Sequence, residues 1–568
     1  MNKARAATAR PGEGAAPPPA QAQAPAQAPA PAAGAAAAAQ APAMARHRIA
    51  AYMATSMFIA LTQGLAQGWT SAVLGQIAGQ IGATTTQASW LVVAFMIPKT
   101  ALPILLIKIR TQYGLRRFTE IGILAHVLVT ILSLFSQDLR SAITVQVLAG
   151  ITSAPLSTLA FLYMLEGLSP QMKMRLGLPL VLTFIMVGSP LARALAPLLM
   201  GDGDWQVLHL VSLGMALASL ALVFLLPLNP MPRQNVIAPL DLVSFVLIAI
   251  GVGGLTAAFT QGPTYWWTEA SWTGILMACA VAALAAAAAI ELNRSAPLID
   301  IRWLLTAPVL HLTGALLLFR LLLSEQAAGA PRMFQALGLS PDQMVPLFAA
   351  IVAASMLGGM ACSLVIKPGR ESQIHLAALL LIAAGAYLDS HSTIDTRPAQ
   401  LIASQSLIAF AGALFLPPAM MAGLLQALSK GPNYILSFII VFLTTQAIGG
   451  TLGSGIFTTF INTRQAYHLH ALSDQLSQTS WTVQAAIGQR VQALAASIPD
   501  SAARRAQAVS QIAQEASQQA YVLAYNDAFL ATFLGACGAI ALLLLHWTRD
   551  HLAGSAAVKP VPPPASSS

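Results

Sequence analysis

The sequence has little charge. Asp, Glu, Lys and Arg make up 9% of its 568 residues, where soluble globular domains carry roughly 25%. A chain this long cannot clothe an apolar interior in water with so few charges, which excludes a soluble enzyme. Cysteine is also scarce: Cys279, Cys362 and Cys537 lie singly in apolar runs, without Cys-x-x-Cys or Cys/His spacing. That excludes a disulfide scaffold and gives no zinc or haem site. What the sequence has instead is 56% hydrophobic residues and a mean hydropathy of +0.68. Lipid must be its outer solvent. The formal net charge of +9 then reads as a membrane-topology signal rather than a nucleic-acid footprint.

Residues 1–47 are nearly all Ala, Pro, Gln and Gly, a composition that buries nothing and is expected to be disordered. Lys3, Arg5 and Arg10 precede Pro-rich sequence rather than an apolar run, so no signal peptide is expected. Crossing a hydrocarbon core takes about 20 helical residues. Runs of that kind fall at 49–75, 84–108, 117–136, 141–165, 174–199, 206–228, 241–261, 271–291, 304–325, 342–366, 373–390, 399–426, 434–461 and 525–548. The expectation is an all-α polytopic membrane protein with fourteen transmembrane helices.

The positions of Lys and Arg test that count independently. With a cytoplasmic N-terminus, the inner loops collect Lys108, Arg110, Arg116, Arg117, Lys173, Arg175, Arg233, Arg294, Arg302, Lys367 and Arg370, while the short outer loops hold only Arg140, Arg332 and Arg397. This is the positive-inside pattern, and a miscount by one would invert it. Both termini are expected in the cytoplasm. Trp69, Trp90, Trp205, Trp266 and Trp267 fall near outer ends, as interfacial anchors do.

Several short matches then appear in order along the membrane portion: Trp90 with Phe95, Gly150 with Pro155, Pro297-Leu298-Ile299-Asp300-Ile301-Arg302, and Gly449-Gly450-Thr451-Leu452-Gly453. With the span count and a long outer loop before the last segment, the chain resembles the major facilitator superfamily, in its fourteen-span drug:proton antiporter branch of EmrB/QacA/FarB type. The resemblance implies two six-helix bundles plus two extra central helices: 48–228, then a linker pair at 229–303, then 304–548, with a disordered tail at 549–568. The loop at 462–524, with Arg464, His468, His470 and an amphipathic stretch from Ala502 to Gln519, resembles the outer loop of pumps that work with a periplasmic adaptor and an outer-membrane channel. The resemblance places the chain in a bacterial inner membrane.

The departures from the family bear on energy coupling. The first-span Asp of the branch falls on Ala66, the fourth-span Arg on Gln146, a thirteenth-span Arg on Gln446, and the Asp-Arg of the second loop on Thr111-Gln112, with Gly114, Arg116 and Arg117 retained. The Gly-Pro pair of the fifth span falls on Ala192-Arg193. All Asp and Glu residues lie near expected span ends or in loops; the ionised residues well inside spans are Lys99, Arg193 and Arg320. Intramembrane charges are costly and mark function unless they snorkel. The substrate-cavity candidates are therefore Gln67, Lys99, Gln146, Gln446, Arg193 and Arg320. His126 and His311 are the remaining intramembrane groups that titrate near neutrality, and so the proton-coupling candidates. The gate candidates are Gly114, Arg116 and Arg117. No cofactor, metal or nucleic acid is expected. The reading is an exporter of hydrophobic or amphipathic small molecules, with anionic substrates and proton coupling left open. The alternative is a transport-incompetent relative acting as a membrane scaffold or sensor.

Overall fold

The computed structural model describes residues 44–201, 203–229, 233–294, 297–476 and 480–552. The tails expected at 1–47 and 549–568 lie outside the described residues, except for 44–47 and 549–552, most of which are helical. The main helices are α1 (Arg46–Ala72), α2 (Thr85–Ala101), α3 (Leu115–Ser133), α4 (Leu139–Leu165), α5 (Leu178–Met200), α6 (Gln206–Leu225), α7 (Pro239–Tyr265) and α8 (Ser271–Leu292). They continue with α9 (Ala307–Leu322), α10 (Val345–Val365), α11 (Glu371–Asp389), α12 (Ile402–Lys430), α13 (Pro432–Gln475), α14 (Trp481–Ala493) and α15 (Ser501–Leu552). Each of the fourteen expected segments falls on helix. Among the described residues, eleven helices are long and apolar enough to cross a membrane alone, or twelve if Leu74–Gln80 and α2, bent by 115°, count as one. The chain is a multi-pass membrane protein.

Local sequence sets the helix ends. Thr84 and Gln87 form a capping box at the start of α2, and Asp138 with Ser141 another at α4. The Ser141 hydroxyl, donating to Asp138, holds that carboxyl below its usual range. Proline opens α7 and α13, where its missing N–H costs nothing. Inside spans the helices run through Pro155, Pro190 and Pro417, but at Pro103 the chain breaks. The second expected segment divides at Leu102 into α2 and the helix Pro103–Tyr113.

α1 packs against α4, α5 and α6, with α2 on α4, and α3 on α4 and α6. Gly64 of α1 meets Gly188 of α5 so closely that a Cβ on Gly64 would stand 2.6 Å from the Gly188 Cα. Such small-residue contacts let membrane helices associate through their backbones. Among the later helices, α12 packs on α10 and α11, while α15 packs on α11 and α13, and α9 on α13. The two groups meet where α5 runs along α10 and α12. At that seam Gly359 lies against Thr183, leaving no room for a side chain. α8 packs on α7, and α7 lies between α2 and α13.

The outer surface is apolar in helical stripes. Ile121, Leu124, Leu128 and Leu132 on α3, and Leu357, Met360 and Leu364 on α10, are exposed at spacings of three to four residues. These are the lipid-facing sides. Alternation of the helices gathers the basic loops at one end, called here the basic end. At the opposite end α13 and α15 continue far beyond a bilayer. With 44 and 52 residues, they run about 66 and about 78 Å at 1.5 Å per residue. The expected loop at 462–524 is thus mostly helix continuous with the membrane segments. α14 lies along α15, held by Arg490 to Glu515 at 2.6 Å. These extensions form an arm, and define the arm end.

Candidate functional site

Four side chains of α1, α2 and α4 build a polar ladder in the first group of helices. Ser157 Oγ donates to Gln63 Oε1 at 2.8 Å, and Gln63 Nε2 reaches Gln67 Oε1 at 3.5 Å. The Lys99 ammonium donates to the same Gln67 oxygen, and lies 5.4 Å from the Phe95 ring centroid. Neutral groups therefore hold this cation, and no carboxylate pairs with it among the described residues. Gln146 is buried and donates to Thr70 Oγ1 at 2.9 Å, one helical turn along α1 from Gln67. The structure brings Gln67 and Lys99 together and gives Gln146 a partner on the same helix.

Arg320 and Gln446 occupy a second place, between α9 and α13. The Arg320 stem lies against Gly449 and its guanidinium against Gly450, turned toward α13 rather than snorkelling to an interface. Arg320 Nε and Gln446 Nε2 are both buried without an acceptor. Two orphaned donors, one of them cationic, ask for an anion or a strong acceptor. Arg193 does neither job. It crosses from α5 to the other helix group, where Nη2 reaches the Ala327 carbonyl at 3.5 Å and the guanidinium lies 5.5 Å from the Phe348 ring centroid. At the basic end, Arg175 makes a corresponding reach to the Ser363 carbonyl at 3.4 Å. The two groups of helices thus touch at both ends.

The histidines divide. His126 is buried, with Nδ1 3.1 Å from Thr152 Oγ1 and Nε2 unpartnered. His311 is exposed and stacks edge-on against His546, with centroids 4.5 Å apart. Of these two, His126 alone lies inside a helix group.

The retained Gly114 sits at φ 87° between two helices, a left-handed turn that suits glycine. Arg233 packs against it, while Arg116 pairs with Glu120 at 2.8 Å and Arg117 is exposed. Thr111 and Gln112, which replace a charged pair, bind the following linker. The Thr111 carbonyl accepts from Gln234 N at 3.2 Å, and Gln112 Oε1 from Ile237 N at 2.9 Å. The charges are instead close by. Lys108 and Arg294 reach Asp241 at 2.8 and 2.7 Å, and Arg294 reaches Glu291 at 2.8 Å. Burial disfavours the Arg294 cation, but the hydrogen bonds to Asp241 and Glu291 outweigh it and raise its pKa. Glu291 also accepts from the Leu298 and Ile299 amides, and Asp300 caps the next turn at Trp303 N, 3.0 Å away. The Pro297–Arg302 stretch is therefore a loop, docked on a buried carboxylate, that leads into the short helix Ile301–Leu304.

One sequence expectation needs correction. All carboxylates were expected near span ends, leaving cations as the interior charges. Asp241, Glu291 and Asp389 do lie at helix ends, where they are buried, but Glu325 is buried inside the ninth membrane segment. Glu325 was missed because its segment does not end there: the apolar helical run continues to Ala336. The polar triplet Ser324-Glu325-Gln326 followed by Ala-Ala-Gly-Ala was the signal available.

No protein-family model matches the chain. The fatty acid resistance protein FarB of Neisseria gonorrhoeae is 23% identical over 225 residues, which are 40% of this chain and 44% of FarB. The chain thus aligns with less than half the length of that relative. Among solved structures, the human organic anion transporter MFSD10 superposes with a TM-score of 0.53 at 13% identity, over 86% of this chain and 99% of MFSD10. The POT family transporter PepTSo gives 0.51 at 14% identity, over 89% and 99%.

Proposed function

We propose that this chain, which has the major facilitator fold, is a secondary transporter that exports hydrophobic or amphipathic small molecules, anionic ones above all. One observation carries the choice of anions: Lys99, held by an amide oxygen and an aromatic ring with no carboxylate partner among the described residues. A cation in a low-dielectric interior is costly until an opposite charge arrives, so the site is completed by an anionic headgroup. The unpartnered donors of Arg320 and Gln446 support the same chemistry. So do the names of FarB, a fatty acid resistance protein, and MFSD10, an organic anion transporter.

In this proposal α1–α6 and the group from α9 onward rock against each other along the α5–α10 seam, and the α7–α8 pair bridges them. The basic end faces the cytoplasm of a bacterial inner membrane, with both termini there. The arm then projects into the periplasm and docks a periplasmic adaptor that leads to an outer-membrane channel.

Proteoliposomes loaded with the amphipathic sulfonate 1-anilinonaphthalene-8-sulfonate test the assignment, because a sulfonate stays charged and does not carry protons by itself. The wild type is expected to exchange the dye across the bilayer and Lys99→Ala to lose that exchange. No movement of any anionic or neutral amphiphile by the wild type would favour the scaffold or sensor reading.

A further inference from the structure

A π turn, Glu325–Gly329, interrupts the ninth membrane segment between α9 and the helix Ala330–Ala336. Such bulges recur at functional sites because they break the regular hydrogen-bond ladder. Glu325 is 0% exposed, and neither of its carboxyl oxygens makes a hydrogen bond. Its polar neighbours are the Asp389 carboxyl at the end of α11 and the Thr532 hydroxyl of α15. Asp389 accepts from Ser404 Oγ and, at 2.6 Å, from Gln405 Nε2, both on the first turn of α12. Gln326 Nε2 donates to the Gln405 carbonyl at 3.1 Å, tying the π turn to that helix.

Acceptors outnumber donors here. The amide oxygens of Gln405 and Asn526 are also buried and unpartnered. Asn526 Nδ2 bonds the carbonyl of Ser392, whose own amide bonds the Asp389 carbonyl. Among the described residues, every buried carboxyl or amide side-chain oxygen without a partner belongs to Glu325, Gln405 or Asn526. Nearby charges are engaged elsewhere. Arg320 lies against α13, Arg332 bonds Thr458, and Arg193 bonds the Ala327 carbonyl. Asp527 of α15 holds Arg464 and His468 of α13. In the α11–α12 loop Arg397 bonds the Ile394 and Thr396 carbonyls, His391 bonds the Tyr387 carbonyl, and Asp395 is exposed. Tyr525 of α15 lies tilted against Phe529, ring centroids 6.2 Å apart. α12 brings no charge to this place.

Two neighbouring buried carboxylates, with no cation paired to either among the described residues, repel too strongly to remain ionised together. One proton relieves that repulsion and supplies the donor the orphaned oxygens lack. We propose that Glu325 and Asp389 bind one proton between them, and that this proton is the coupling ion of the transport cycle. The inference deepens the transporter reading and rests on it. In the cycle a proton from water at the arm end forms an O–H bond on the pair, and that bond breaks when the pair is reopened to water at the basic end. The π turn links this event to the gate. Ala327, two residues beyond Glu325, is the carbonyl that Arg193 grips across the seam. Deprotonation reshapes the turn and releases that grip.

The first test needs no substrate. Infrared difference spectra of the purified full-length protein, titrated with pH, are expected to show a buried protonated-carboxyl band that disappears as pH rises. The band should be absent from Glu325→Gln and shifted in Asp389→Asn, with both variants retaining a cooperative thermal melt. A wild-type band that Glu325→Gln leaves unchanged would overturn the proposal, as would no titrating band at all. In proteoliposomes, Glu325→Gln should still exchange the sulfonate dye at equal concentrations but lose pH-gradient-driven accumulation. Loss of exchange together with accumulation would overturn the coupling role. So would accumulation driven by a sodium gradient alone, because the all-oxygen site would then hold sodium. Failure of wild-type dye exchange would count against the transporter reading and leave the infrared result to decide proton binding.

Discussion

The two groups of helices differ in the charges they hold inside. Between α1, α2 and α4 there is a cation, Lys99, among amides and a hydroxyl. Among α9, α11, α12 and α15 there are two carboxyls, Glu325 and Asp389, beside the amide oxygens of Gln405 and Asn526 that lack donors, while the Arg320 cation of this group lies against α13. A single interior ion pair would have neutralised both charges and left neither free to bind anything. Kept apart, each charge stays available to a different ligand. The cation suits an anionic headgroup and the carboxyl pair suits a proton. The basic end shows the contrasting case, where Lys108, Asp241, Arg294 and Glu291 satisfy one another completely and act as a clamp.

The comparison breaks most visibly at Lys99. Lys99→Glu places a second negative charge in the path of an anionic headgroup, and is expected to cost about 2–5 kcal/mol of anion affinity, as truncated buried charge pairs do. Binding of the sulfonate dye, followed by its fluorescence on purified protein, checks this. Unchanged affinity would mean that the cation is structural. Of similar size is the effect of Asp241→Asn, which leaves Lys108 and Arg294 without their shared anion. Removing one partner of a buried pair typically costs about 3–5 kcal/mol. The melting temperature should fall, while the infrared band of the Glu325 pair should not change, because the two clusters lie at opposite ends. Gly359→Leu is expected to cost about 1–3 kcal/mol through overpacking against Thr183. It should also hold the α5–α10 seam apart and slow dye exchange, which a stopped-flow assay would detect.

Much of this architecture was legible in the sequence because lipid imposes strict conditions. A spanning helix must be long, apolar and free of unsatisfied backbone groups, and basic loops mark its ends. The motif at 297–302 was legible as a match but not as a mechanism. Its meaning lies in the Leu298 and Ile299 amides reaching Glu291, a contact between residues that hydropathy treats as unrelated. Lys99 was legible as an interior charge, and Gln67 as its neighbour. Glu325 was not, because a hydropathy window ends a segment at the first polar cluster. A π turn lets the chain absorb Ser324, Glu325 and Gln326 and continue. Whether Arg193 and Arg320 snorkel or turn inward was not legible either, for a tertiary reason. Both side chains point at neighbouring helices, which one helix's sequence does not reveal.

The smallest expected effect is at His126, and it sharpens the division between the two groups. Sequence alone offers this histidine as a proton carrier, since it is an intramembrane group with a reference pKa near neutrality. In the fold it sits between α3 and α4, with one hydrogen bond to Thr152. Replacing it with Leu removes that bond and one buried unpartnered nitrogen, so the stability change should be about 1 kcal/mol or less. The informative readout is the pH dependence of dye accumulation. If Glu325 and Asp389 carry the proton, His126→Leu keeps the wild-type pH profile while Glu325→Gln flattens it. A flattened profile in both variants would mean that protons also move through the first group of helices, and the separation of anion and proton between the two groups would fail.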